Sequence, residues 1–258
     1  MILTLAFILF ILMILIDSDR GAKSFLTLIF NMVALICTIL LISRGYNSLV
    51  ITFFTCMFIS VITLFYQNGI NVKTKTAFIS VIFTILFLLI FVYCMASKSM
   101  IQGIPIEQQF EGEMIAYSKN INLSMTDIEI SIIIIGLIGA ILDTSVAVAT
   151  STYEVYTNNT HLNKKELFKS SMNMGKDILG TTMNTLFFSY ISEFMTLMIY
   201  FNKNKYSFSK IVNSKVFAQE FIRILFSGIG CIMIILITAT ITSNVIMKIK
   251  NIKGEAVT

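Results

Sequence analysis

Residues 128–149 read IEISIIIIGLIGAILDTSVAVA, an apolar run broken by small residues and one deep carboxylate, Asp143. At helical rise the run is about 33 Å long, enough to cross a hydrocarbon core of roughly 30 Å. Outward from it lie six more apolar runs, at 1–16, 24–43, 48–66, 77–96, 178–200 and 222–247. Most are long enough to span a bilayer, and none alternates as β-barrel strands do. The expectation is an all-α integral membrane protein with about seven transmembrane helices, forming one polytopic domain over 1–258.

Composition agrees. The chain is 56% hydrophobic and only 13% charged, with a single proline in 258 residues. A soluble domain carries roughly 25% charged residues, so lipid has to take up the apolar surplus. The net charge of +5 comes from Lys and Arg clustered between the apolar runs. That is the pattern of membrane orientation, and it speaks against a nucleic-acid partner. Cys37, Cys56, Cys94 and Cys231 all fall inside apolar runs without CxxC spacing, and read as small buried hydrophobes. The run 1–16 lacks a basic leader and a small-x-small cleavage site, and Asp17-Ser18-Asp19-Arg20 follows it. A retained membrane helix is expected there rather than a cleaved signal.

Charge bias sets the orientation. With the N-terminus outside, eleven of the 19 Lys and Arg residues fall on the inner side and eight on the outer. The expectation is therefore a cell-membrane protein with its N-terminus outside and its C-terminus cytoplasmic. Residues 97–127 form an acidic outer loop with Glu107, Glu111, Glu113 and Asp127. Asn163 and Glu166 have capping-box spacing and predict a short cytoplasmic interfacial helix near 163–174. Its Lys164, Lys165 and Lys169 would face water, while Leu167, Phe168, Ser171 and Met172 would face the bilayer.

Polar residues inside apolar runs carry the functional information. A carboxylate at the depth of Asp143 costs about 2.5–3.5 kcal/mol on insertion scales, so it needs protein or water around it. It serves either as a proton or cation site on a transport path, or as a hydrogen-bonding lock between helices. Gly136, Gly139 and Ala140 make a small-residue groove beside it, suited to helix packing. Glu154 continues the stripe of Asp143. In the sixth run Asp177, Thr181 and Asn184 share one helical face, and Gly180 shares another with Asn184. That strip can meet Asp143 across a helix interface or line a pore. Glu220 and Arg223, three apart at the start of the last run, predict an interfacial ion pair.

No P-loop, HExxH or GxSxG motif occurs, and Leu142-Asp143-Thr144-Ser145 has no second copy to make an aspartic-protease dyad. The lone His161 has no ligand neighbours. A non-enzyme without cofactor or metal is expected.

Three blocks of sequence then stand out together. The first is Gly139-Ala140-Ile141-Leu142-Asp143-Thr144 with Tyr153-Glu154-Val155. The second runs from Glu166-Leu167-Phe168-Lys169 through Gly175-Lys176-Asp177-Ile178-Leu179-Gly180-Thr181-Thr182-Met183-Asn184-Thr185-Leu186. The third is Glu220, Arg223 and Ser227-Gly228-Ile229-Gly230. They resemble the YibE/F-like family of bacterial multi-transmembrane proteins over roughly 130–240, and more loosely through Arg20-Gly21 and Asn71-Val72-Lys73-Thr74. The family pattern has Arg at Lys176 and prolines at Thr196 and Leu236, so helix geometry at those two sites departs from it. The resemblance implies a permease-like membrane protein and a sister-protein partner. A homodimer or a heterodimer with a paralogous membrane protein is expected, with Asp143 as a coupling or cation-binding carboxylate. Asn184 and Thr181 would be neutral ligands, with Asp177 and Glu154 at the cytoplasmic mouth. The alternative is a non-transporting scaffold that docks a sister protein.

Overall fold

A computed structural model describes residues 1–99 and 124–255, and every regular element there is helical. The acidic stretch with Glu107, Glu111 and Glu113 lies outside the described residues. Helix α1 (Ile2–Ser43) leads to α2 (Ser48–Val61), which continues as a π-helical segment, Ile62–Gln67. There follow α3 (Val72–Ser99), α4 (Met125–Asn158), α5 (Lys164–Lys203), a short α6 (Phe208–Val212) and α7 (Lys215–Glu255).

Among the described residues, five helices are long and apolar enough to cross a membrane: Thr4–Ser43, Ser48–Gln67, Val72–Met95, Met125–Asn158 and Lys215–Lys250. The expectation of about seven spans differs from this in two places. Runs 1–16 and 24–43 are the two arms of α1, which leaves helical geometry at Asp17 and Ser18, where Ser18 has φ 42°. In a straight helix Phe10 and Phe25 would lie about 22 Å apart along the axis, yet their ring centroids are 4.9 Å apart. The arms therefore fold back as a hairpin. Gly21 makes this possible, because a Cβ there would collide with the carbonyl oxygen of Met13. Run 178–200 is the second half of α5, whose apolar character is diluted by Thr181, Asn184, Thr185 and Ser189.

The separate interfacial helix expected near 163–174 is instead the first turns of α5, a 40-residue helix. The predicted start holds, since the Asn163 N–H donates to Glu166 Oε2 at 2.8 Å. The predicted facing does not. Leu167 and Ser171 are buried in the bundle rather than turned to lipid, and the Ser171 hydroxyl lies 2.6 Å from that of Thr152 on α4. Gly175 explains the continuity, because it lets Ile235 of α7 press against the α5 backbone. The cysteine reading also needs correction: Cys56 and Cys231 are buried, whereas Cys37 and Cys94 are exposed.

α4 is the spine, packed against α2, α3, α5 and α7. Its Ile130, Ile134, Leu137 and Ile141 form the core with Val81, Ile85 and Leu88 of α3 and Ile234 of α7. The two ends of the bundle are distinct. At one, the Ser48 hydroxyl meets that of Ser131 at 2.6 Å. At the other, Lys73 pairs with Glu154 at 3.6 Å and Lys250 donates to the Thr160 carbonyl at 2.8 Å. The segments assigned by charge to the inner side thus gather at this second end.

Candidate functional site

Asp143 lies near the middle of α4 and opens into a polar cleft of about 420 Å³. The other polar walls are Thr63, Gln67 and Asn68, from the π-helical segment and the turn after it, and Thr150 and Ser151 of α4. Spacing explains the α4 contribution, since 143, 147, 150 and 151 fall on one side of a helix. The opposite wall depends on the π-helical geometry, which rotates the end of α2 away from regular helical register. The chain then turns sharply at Gly69, whose φ of 74° suits glycine, and Asn71 caps the next helix by accepting the Thr74 N–H at 2.8 Å. This cleft holds one carboxylate, two amides and three hydroxyls. Such a set can surround a small cation or carry a proton through water.

The sequence offers Asn184 and Thr181 as neutral ligands for Asp143, on a strip that meets it across a helix interface or lines a pore, and Asp177 at the cytoplasmic mouth. Among the described residues, no side-chain hydrogen bond or ion pair joins them to Asp143, and they do not line its cleft. All three are exposed on the outer face of α5, as is Gly180, where an added Cβ would meet nothing within 4 Å. Glu154 is at the end of the bundle that also holds Lys250, paired with Lys73, whose ammonium sits 5.1 Å from the Tyr153 ring centroid. Of the groove residues, Gly136 faces Tyr190, whose hydroxyl would lie 3.8 Å from an added Cβ, Gly139 opens to empty space, and Ala140 is half-buried.

Glu220 and Arg223 do pair, at 2.6 Å. The sequence missed the third member. Glu129 of α4 accepts from Arg223 at 3.1 Å and 3.2 Å, so one guanidinium bridges two helices with every side chain at most 13% exposed. One further link sits beside it, where the hydroxyls of Tyr190 on α5 and Ser227 on α7 lie 2.7 Å apart. The spine and two of its neighbours, α5 and α7, are thereby tied together at the end of the bundle away from Lys73 and Glu154.

The blocks that meet here are those singled out in the sequence, and the family described as YibE/F-like protein matches residues 5–248. The chain belongs to the YibE/F-like family. The match takes in all five apolar helices, so this member's α1 hairpin and α7 are covered along with the blocks at 139–186. No curated protein and no solved structure matches it.

Proposed function

We propose that this YibE/F-like protein is a permease-like subunit that moves a small cation, or a solute coupled to one, through the Asp143 cleft. One observation carries the reading: a mid-helix carboxylate opens into a polar space of about 420 Å³, far more than one water's share of about 30 Å³. Asp143 is the ion-binding or proton-binding group, and Gln67, Asn68, Thr63 and Thr150 are neutral ligands. The Lys73–Glu154 pair marks the cytoplasmic mouth, in a cell membrane with the N-terminus outside. The Glu129–Arg223–Glu220 cluster holds α4 and α7 together at the far end. Asn184 and Thr181, first assigned as ligands, are not needed for this site.

The test is flux. Purified protein in liposomes is challenged with proton, Na⁺ and K⁺ gradients, and movement is followed with indicator dyes. Wild type is expected to dissipate one of them and Asp143→Asn to abolish that movement. Unchanged flux in Asp143→Asn removes the coupling role.

A second reading has its own observation. Gly139 and Gly180 both face open space, which suits a scaffold docked against a paralogous membrane protein. Gly139→Leu separates the two, because a scaffold loses its partner while a transporter keeps flux.

A further inference from the structure

The outer face of α5 lies at a depth where lipid rejects it. Contacts with α7 fix that depth: Gly175 lies against Ile235, and Met183 against Gly228. Residues 177–185 of α5 therefore run beside the stretch from Gly228 to Ile235, in the middle of the apolar span Lys215–Lys250. At this level α5 exposes Asp177, Gly180, Thr181, Asn184 and Thr185. Exposed apolar residues continue the same helix as Phe187, Phe188 and Ile191, which lipid accepts. A polar side chain facing hydrocarbon costs free energy unless another polypeptide covers it.

We infer that this face of α5 is the contact surface for a second copy of the same chain, packed about a twofold axis along the membrane normal. The argument for a second copy is self-complementarity. Two parallel α5 helices meet with identical residues at identical depth. Asn184 then faces Asn184, and a carboxamide both donates and accepts. Thr181 faces Thr181, its hydroxyl donating to the Ile178 carbonyl of its own helix at 2.9 Å with lone pairs left to accept. A Cβ added at Gly180 would meet nothing within 4 Å, so the two backbones can approach closely there. Lys176 and Asp177, both exposed, supply opposite charges that cross-pair between copies. The pairing does not depend on ion movement through the Asp143 cleft, which lies on other elements.

The experiment is disulfide trapping of the full chain in its native membranes. In a background where Cys37, Cys56, Cys94 and Cys231 are replaced by Ala, Thr181→Cys is oxidised and read by non-reducing gel and mass spectrometry. The expected product is twice the 29.1 kDa chain, absent for Ile39→Cys, a control on the 66% exposed outer side of α1. Asn184→Leu added to Thr181→Cys is expected to lower cross-linking at least tenfold without lowering the amount of protein in the membrane. Trapping of Thr181→Cys no greater than the control, or only into a different chain, overturns the proposal. If the cysteine-free background does not accumulate, native mass of the wild type decides: a dimer that becomes monomeric in Asn184→Leu supports it. A monomer, or a dimer indifferent to Asn184→Leu, overturns it.

Discussion

Arg223 of α7 and Glu129 of α4 are joined by two contacts, at 3.1 Å and 3.2 Å, although 94 residues separate them in the chain. Both side chains are almost fully enclosed, so removing Arg223 strands the carboxyl groups of Glu129 and Glu220 together. Arg223→Leu is expected to cost about 3–5 kcal/mol, the range for breaking a buried pair from one side. Thermal unfolding in detergent, followed by loss of monodisperse protein, measures it. A shift no larger than that of a surface substitution would show that water reaches the cluster.

The Lys73–Glu154 pair gives the contrast. Glu154 is 61% exposed and the atoms are 3.6 Å apart. Such pairs contribute at most about 1 kcal/mol and weaken in salt. Glu154→Gln should leave thermal stability nearly unchanged at high ionic strength. A loss as large as that of Arg223→Leu would mean the inner-side end is closed to water.

The α1 hairpin rests on Gly21. In the wild type, cysteines introduced by Phe10→Cys and Phe25→Cys are expected to oxidise to an intramolecular disulfide, since the native rings nearly touch. Adding Gly21→Val should abolish that bond, because a side chain there collides with the Met13 carbonyl. Persistence of the disulfide in Gly21→Val would mean the arms can shift to make room.

On the proposed passage of ions through the cleft, Gln67→Leu and Thr150→Val each remove one polar group from its lining and leave Asp143 in place. Each is expected to raise the half-saturating cation concentration several-fold, with a smaller effect on the maximal rate. Concentration-dependent flux in liposomes reads both quantities. An unchanged half-saturation in both variants would place the ion elsewhere.

Much of this architecture is legible in the sequence, and the misses have physical causes. Apolar length located the long helices, with α1 read as its two arms, because a bilayer imposes one length scale on all of them; it missed the short α6, Phe208–Val212, and the first half of α5. The i,i+3 rule found Glu220–Arg223, since both residues sit on one helix. No local rule reaches Glu129, whose partner comes from another helix. Helical periodicity grouped Asp177, Thr181 and Asn184 on one face correctly. It could not say where that face points, because rotation of α5 is set by its contacts with α4 and α7. The expected break near Gly175 failed for a related reason: a glycine inside a polar stretch reads as a boundary until Ile235 is seen to need the space. The π-helical segment at Ile62–Gln67 leaves no sequence signature, although it builds half the cleft.

The long separation of Glu129 from Arg223 has a consequence in time. At roughly 5–20 residues per second, the 94 residues from Ile130 to Arg223 take on the order of ten seconds to synthesise. Throughout that interval α4 has emerged with a carboxylate whose cation does not yet exist. Glu129 must wait in a wet place, at the membrane surface or within the insertion machinery, until α7 arrives. The spine of the bundle is thus made early and seated late.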